Sequence, residues 1–183
     1  MAKTTGEFAT VDSSSMMEWH AAHLGGVQPR YGKIMIADAK VAVENGNLMA
    51  AKAVVDMNSF TVENFGDDAE TAAKLAGHLK SGDFFLVDSF AVSTFEMTGI
   101  TAAEGEYNSV ITGNLTIKDA TNPVSFNANV AISDDKVSVN SEKFAIDRTD
   151  WGLTYNVEGT AGVPADYLIA NDVEFQINMT LTK

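Results

Sequence analysis

The 183-residue sequence contains no cysteine, which excludes disulfides, thiol nucleophiles and thiolate metal sites. No apolar run approaches the roughly 20 residues that a membrane-spanning helix needs. The start, Met1–Phe8, lacks the basic segment followed by an apolar one that marks a secretory signal. The sequence therefore fits a cytoplasmic protein or the mature form of an exported one, since exported bacterial proteins need not use disulfides.

Basic residues are scarce as well. Lys and Arg number 12 against 25 Asp and Glu, which gives a net charge of -13. A surface this acidic repels phosphate backbones and anionic lipid headgroups, so we expect no binding to nucleic acid or to membrane surfaces. Without a spanning apolar run, we also expect no stable membrane insertion. With 45% hydrophobic and 20% charged residues, the composition is typical of one soluble globular domain.

Most of the chain has the two-residue alternation of β-strands. Val124–Ile132 and Asp172–Lys183 alternate apolar and polar residues along their whole length. Asn45-Gly46, between two such runs, predicts a tight hairpin because both positions favour positive φ. We count eight strands joined mostly by short turns, which predicts antiparallel pairing. Closing eight strands into a barrel removes exposed edges and leaves room for side chains or one small ligand.

One helix interrupts the strands, at about residues 68–80. Asp67 is the predicted cap, with Glu70 three residues on, and Leu75 and Leu79 lie on one apolar stripe. The predicted fold is therefore mainly β: a single eight-stranded antiparallel barrel with this helix packed over it. Three further predictions concern the strands after the helix. The alternation slips at Gly113, which suggests a bulge. Residues 119–123 are expected to turn, and residues 137–146 to form a single strand.

Few residues suggest chemistry. His20 and His23 face opposite sides of a strand, so we interpret them as surface histidines rather than a metal pair. His78, near the helix end, has no recognisable catalytic partners in the sequence. For Arg148 we favour a structural role, paired with Asp150 or another carboxylate, over ligand recognition. We predict no catalytic residue and no metal site.

The apolar strand residues are more informative. The predicted inward-facing set combines methionines with aromatic residues, which adapt to a chain-like apolar ligand. It comprises Met17, Trp19, Val55, Met57, Phe95, Met97, Phe126, Phe175 and Met179. A filled core without a cavity explains the same pattern, so the residues alone leave both interpretations open.

Four motifs, in the same order as in the family, resemble the YceI-like family, and the resemblance covers about residues 11–181. They are Val11-Asp12 with Glu18-Trp19 and Gly32, His78-Leu79-Lys80-Ser81 with Asp83-Phe84-Phe85, Thr112–Lys118 followed by Pro123-Val124, and Phe144–Arg148 followed by Trp151-Gly152. The resemblance implies a lipocalin-like barrel whose tunnel holds a polyisoprenoid chain or an isoprenoid quinone. It also implies a periplasmic or exported protein, lipid-anchored in some members, that often forms homodimers. The chain departs from the family pattern at Ser89-Phe90-Ala91 and at Asp119.

On this basis we predict an N-terminal tail at residues 1–10 and a YceI-like lipid-binding barrel at residues 11–183. The expected lipid-binding residues are Met17, Trp19, Val55, Met57, Phe60, Leu75, Leu79, Phe84, Phe85, Phe95, Met97, Val110, Leu115, Ile117, Phe126, Trp151 and Phe175. The predicted function is non-enzymatic carriage, storage or sequestration of an isoprenoid or other long-chain lipid, with no cofactor beyond that ligand. The alternatives are an enzyme acting on a bound lipid, using His78 or Asp147-Arg148, and a ligand-free protein-interaction module.

Overall fold

The computed structural model describes residues 3–183, in which eleven β-strands and one α-helix form. The helix, α1, spans Ala69–Lys80 between the fifth and sixth strands. The strands are β1 (Gly6–Phe8), β2 (Thr10–Val11), β3 (Met16–Ala21), β4 (Arg30–Glu44), β5 (Asn47–Asp56), β6 (Val92–Ala102), β7 (Ser109–Ile117), β8 (Ala120–Ile132), β9 (Lys136–Ser141), β10 (Phe144–Asp147) and β11 (Asp172–Thr182).

Eight of these strands form a closed antiparallel ring. Its order is β4, β3, β11, β9, β8, β7, β6 and β5, and β5 pairs back with β4. The three short strands lie outside this ring, β1 beside β4, and β2 and β10 beside β11. The predicted fold, mainly β with an eight-stranded antiparallel lipocalin-like barrel and one helix, is confirmed.

The long hairpin of β4 and β5 marks one end of the barrel. Its two-residue turn has φ of 51° at Asn45 and 78° at Gly46, as the sequence predicted. We call this the hairpin end, and the opposite end, where α1 lies, the helix end.

A bulge explains how β4 lines the core along its whole length. Ile34 and Ile36 are buried at even positions, whereas Ala39 and Val41 are buried at odd ones. Between them the register with β5 slips, leaving Ala37 unmatched. One extra residue moves the inward face by one position, so both halves of a strongly twisted strand remain amphipathic.

Two clusters of buried side chains fill the barrel. The cluster toward the hairpin end includes Phe8, Val41 and Leu181, none of which exposes any surface. The cluster toward the helix end includes Trp19 and Trp151. Half-buried side chains of α1 pack against this second cluster, so the helix covers one end of the barrel.

α1 is held at both termini but is not buried. Asp68, rather than the predicted Asp67, caps it by accepting the Thr71 N–H at 3.0 Å. At its other end, Lys80 Nζ donates to the carbonyl of Asn58 at 2.9 Å. None of its residues is fully buried, and the helix therefore rests on the barrel as a cover.

Several local predictions were wrong. Residues 120–123 pair with β7 as part of β8 instead of turning. The bulge predicted at Gly113 of β7 lies instead at Thr98, on the neighbouring strand β6. The single strand predicted over residues 137–146 is divided into β9 and β10. Gly6–Phe8, within the predicted tail, pairs with β4, whereas residues 1 and 2 lie outside the described residues. The domain boundary itself stays a prediction.

Candidate functional site

The barrel interior contains an apolar cavity of about 80 Å³, which we call the inner cavity. Apart from Lys52 and Ser93, every residue lining it is apolar. Nine of the predicted lipid-binding residues line it: Met17, Val55, Met57, Phe85, Phe95, Leu115, Ile117, Phe126 and Phe175. The volume is well below the 300–1,000 Å³ of typical ligand pockets, so an occupant must displace side chains.

A second cavity, the mouth cavity, lies at the helix end and measures about 240 Å³. It lies between α1, the barrel rim and the irregular segment that follows β10. Seven of the predicted residues line it: Trp19, Phe60, Leu75, Leu79, Phe84, Phe85 and Phe175. It also has polar groups, notably His23, His78, Arg148 and Tyr155. The mouth therefore combines an apolar wall with a polar rim.

Phe85 and Phe175 line both cavities and so separate them. Phe85 lies 5.6 Å from Phe60, whose ring is 4.9 Å from that of Trp19 (centroid to centroid). Phe175 lies 6.3 Å from Phe144, which continues the aromatic row inward. The two cavities thus lie in series along the barrel, with two aromatic rings at their junction.

Inside the barrel, the aromatic row continues without polar interruption. The Phe144 and Phe126 rings stack with centroids 4.6 Å apart, and Phe126 lies 5.6 Å from Phe95. Ring pairs at these distances attract one another weakly and can shift without breaking hydrogen bonds. The row is therefore an adaptable apolar wall of the inner cavity.

Trp19 has a fixed position because its indole Nε1–H donates to the carbonyl of Thr61 at 2.9 Å. Gly32 makes this contact feasible, since a Cβ there would overlap the same carbonyl oxygen. The chain segment after β5 is thereby attached to the barrel rim beside the mouth cavity.

His78 lies at the rim of the mouth cavity. Its Nε2 is 2.8 Å from Oδ2 of Asp83, and its ring meets Phe84 and Tyr155 edge-on at 5.1 and 5.0 Å. The Tyr155 contact joins the end of α1 to the segment after β10. His78 therefore helps to position the cover, and it is one of the polar groups near the opening.

Arg148 is almost completely buried, with 2% of its surface exposed. Its guanidinium donates to the carbonyls of Leu153 (2.7 Å), Ala170 (3.0 Å) and Ile169 (3.2 Å). Burial lowers the pKa of Arg148, an effect that the nearby Asp147 carboxylate opposes. The expected pair with Asp150 does not form, yet the structural role is confirmed: Arg148 clasps the loop that forms one wall of the mouth.

Asp147 has a different partner. Its carboxylate accepts the hydroxyl and the backbone N–H of Thr149, at 2.6 and 2.9 Å, and these bonds lower its pKa. Asp147 thus caps the short helical turn at Arg148–Trp151, which helps to orient Arg148.

Three predicted lipid-binding residues line neither cavity. Trp151 is buried, and its Nε1–H donates to the carbonyl of Leu115 at 2.9 Å. Val110 alternates with Ile111, which lines the inner cavity, and so faces the other side of the sheet. Met97 packs against the hairpin-end cluster and lines a separate cleft there, which opens to solvent. Whether any of the predicted residues contacts a lipid stays a prediction.

Other lining residues were missed. Ile34, Ile36 and Phe144 line the inner cavity, and the alternation of apolar residues in their strands could have identified them. Tyr155 and Tyr167 of the mouth belong to an irregular segment. No periodicity marks such residues, so only the folded chain reveals them.

The remaining histidines are not placed together. His20 lies 3.9 Å from Glu18 and stacks on Tyr31, whereas His23 Nδ1 lies 2.6 Å from the carbonyl of Asp166. Across residues 3–183, we find no group of three or more His, Asp or Glu side chains arranged to hold a metal ion. The same residues contain no helix long and apolar enough to cross a membrane.

A closed antiparallel ring of eight strands with one helix over its end defines the class of lipocalin-like barrels. The chain belongs to the YceI-like domain family, whose model matches residues 8–181, which confirms the resemblance noted in the sequence. It is 32% identical over 114 residues to the UPF0312 protein PA0423 of Pseudomonas aeruginosa, an alignment that covers 62% of this chain and 55% of that protein. A UPF0312 protein of Ectopseudomonas mendocina is 30% identical over 110 residues, which cover 60% of this chain and 53% of that protein. The chain thus spans about half the length of the curated relatives it matches.

Solved structures share the fold at low sequence identity. Burkholderia cenocepacia BcnA superposes with a TM-score of 0.66 at 18% identity, covering 93% of this chain and all of that one. A polyisoprenoid binding domain from Saccharophagus degradans, implicated in plant cell wall breakdown, has a TM-score of 0.60 at 15% identity, covering 95% and 97%. Campylobacter jejuni YceI protein has a TM-score of 0.57 at 17% identity, covering 82% and 84%.

Proposed function

We propose that this protein binds a single polyisoprenoid chain, as a polyprenyl lipid or an isoprenoid quinone, for carriage, storage or sequestration. One observation carries the proposal: the mouth cavity and the apolar inner cavity lie in series, with Phe85 and Phe175 lining both. The related fold of the Saccharophagus polyisoprenoid binding domain supports the choice of ligand.

Binding requires the interior to expand. The inner cavity is small as it stands, so a chain must displace the rings of the junction and the flexible methionines around them. Met17, Met57 and Met179 line this cavity, and unbranched thioether side chains adapt readily to new packing. We expect Phe85 to rotate first, because it belongs to the turn after α1 rather than to a strand.

The polar head of the ligand belongs at the mouth. His23, His78 and Tyr155 border that cavity, where they can donate to or accept from a quinone carbonyl or a terminal hydroxyl. The isoprenoid tail then follows the aromatic row toward the hairpin end. This orientation places the polar ligand atoms near water and buries the adjoining apolar chain in the barrel.

Native mass spectrometry of the protein mixed with solanesol tests the proposal. We expect one solanesol per chain, and a phenylalanine at Ala53, which lines the inner cavity, should reduce binding sharply. The matched control is Ala131→Phe, on the exposed face of β8, which should bind normally. Absence of bound solanesol in the unmodified protein would reject the proposal.

A non-enzymatic role is part of this proposal. The guanidinium of Arg148 is engaged by three backbone carbonyls. His78, with its Asp83 partner, is the polar group best placed to act on a bound lipid. We expect no turnover of prenyl esters or quinones by the unmodified protein. Turnover that is lost in His78→Gln would favour the enzyme instead.

Location and assembly are further parts of the proposal. The family resemblance suggests a periplasmic or exported protein, lipid-anchored in some relatives, and a homodimer. Fractionation of cells expressing the full-length gene tests the location. Sedimentation of the purified chain at several concentrations tests the assembly, and a single monomeric species would reject the dimer.

A further inference from the structure

The wall of the barrel parts between β5 and β6. These strands pair over five positions only, from Asp56↔Val92 to Lys52↔Glu96. Beyond Lys52, β5 continues to Asn47 in its ladder with β4, and beyond Glu96, β6 continues to Ala102 in its ladder with β7. Both strands therefore persist toward the hairpin end, but no longer pair with each other.

Two bulges account for the parting. In the β4–β5 ladder, Val43 pairs with Leu48 and Ala42 with Ala50, so Met49 is unmatched. In the β6–β7 ladder, Thr98 is unmatched between Met97 and Gly99. Each bulge bends its strand and increases the local twist. Because both lie on the stretches that face each other across the parting, the two strands diverge there.

A cleft of about 620 Å³ lies at this parting, extends to Val130 and Ile132 of β8, and opens to solvent. Its apolar lining includes Met49 of β5 and Met97 and Ile100 of β6, and Asn47, Thr101 and Asn108 add polar groups beside them. Among the residues that the structure describes, only Leu48 lines both this cleft and the inner cavity. Leu48 is 4% exposed, so its side chain stands between the interior of the barrel and the outside.

The inner cavity reaches this part of the wall. Ala51 and Ala53 of β5 line it next to Leu48, and Phe95 lines it from β6. Alanine side chains leave the wall thin, and the ladder ends one residue from Ala51, at Lys52. A chain that enters from the mouth and fills the inner cavity thus meets Leu48 at the far side.

We propose that this parting is a lateral port through which the distal end of a long apolar chain leaves the barrel, with Leu48 as its gate. The inference rests on the proposed function and extends it to ligand length. A short prenol ends inside the barrel, whereas a long one displaces Leu48 and continues along the apolar side chains of the cleft. The port removes the upper limit that a closed tunnel would set.

Since the chain lacks cysteine, a single engineered cysteine can carry a fluorophore. We place it at Met49→Cys, in the cleft, and as control at Ala131→Cys, on the outer face of β8. Solanesol should change the emission of the Met49 label and leave that of the Ala131 label unchanged, and farnesol should change neither. Native mass spectrometry of the same labelled samples establishes whether solanesol is bound.

The outcomes separate the two proposals. Bound solanesol with an unchanged Met49 label overturns the port and leaves the proposed function standing. An equal response of that label to farnesol also overturns the port, because a short chain does not reach it. Absence of bound solanesol overturns both.

A gate variant tests the same point independently. Leu48→Trp should weaken solanesol binding by about tenfold or more while farnesol binding persists. Leu48→Met, which conserves the volume, should bind both as the unmodified protein does. Farnesol binding shows that each variant is folded, and a Trp variant that binds both ligands normally overturns the gate.

Discussion

Arg148 shows how a single buried charge shapes the site. Its guanidinium is bonded to carbonyls of Leu153, Ile169 and Ala170, which all belong to the irregular segment after β10. An arginine has the rigid fork of donors that such a triple contact needs, and lysine lacks it. The sequence motif made Arg148 conspicuous, but only the fold reveals that its partners are main-chain oxygens.

Replacing Arg148 by methionine should lower the free energy of unfolding by about 3 kcal/mol, because three carbonyls lose the donors of a side chain that is only 2% exposed. Urea denaturation measures this change. The control is Arg30→Met: this guanidinium lies 4.9 Å from the Phe65 ring, and its loss should cost less than about 1 kcal/mol. Equal losses of unfolding free energy in both variants would contradict the claim that Arg148 holds the loop in place.

The Asp147 carboxylate should contribute to stability in a pH-dependent manner. Its folded-state pKa is lowered, so the folded chain binds fewer protons than the unfolded chain, in which the pKa is about 3.9. The stabilisation is present above that pH and is lost as the pH falls through the lower, folded value. In Asp147→Asn, the decline in unfolding free energy below about pH 4 should be shallower. If the unfolding free energy of the variant declined as steeply at acidic pH as that of the unmodified protein, this assignment would be contradicted.

At the scale of the elements, regular alternation predicted the strands well, but not their irregularities. The hairpin turn was predictable because Asn45-Gly46 demands positive φ at both positions. The bulge at Ala37 was not, since a one-residue slip in a long apolar strand resembles ordinary variation. Bulges reflect the twist that barrel closure requires, and this requirement arises from the neighbouring strands.

Two glycines allow a direct comparison of local packing. A Cβ at Gly32 would overlap the Thr61 carbonyl oxygen, whereas a Cβ at Gly77, inside α1, meets no atom within 4 Å. Gly32→Ala should therefore destabilise the fold by about 1–3 kcal/mol. Gly77→Ala should stabilise it by about 0.5–1 kcal/mol, through better helix propensity. Thermal unfolding of both variants measures these changes. Unchanged stability of Gly32→Ala would show that the segment around Thr61 can move away from the added methyl group.

The cover formed by α1 should control ligand release. Leu75 and Leu79 line the mouth cavity and are only half-buried, so replacing both with serine leaves the fully buried core of the barrel in place. We expect ligand dissociation to accelerate about tenfold, because the apolar wall over the tail is lost. Stopped-flow transfer of solanesol to lipid vesicles measures the rate, with Ala73→Ser on the exposed face as control. Unchanged release would show that the helix is not part of the path.

For the molecule as a whole, the sequence was sufficient to predict an eight-stranded barrel, one covering helix and an apolar interior. It could not predict how much space the interior retains, because a filled core and a ligand cavity have the same alternation. It also missed β1, whose Phe8 is completely buried, since three residues are too short for a periodic signal. The parting between β5 and β6 likewise depends on register, which only the paired strands define.

The most direct test is a crystal structure of the protein loaded with solanesol. We predict elongated density that begins between α1 and the barrel rim, passes between Phe85 and Phe175, and fills an enlarged inner cavity. Density confined to the outer surface, with the two phenylalanine rings unmoved, would contradict the claim that the barrel interior is the lipid site.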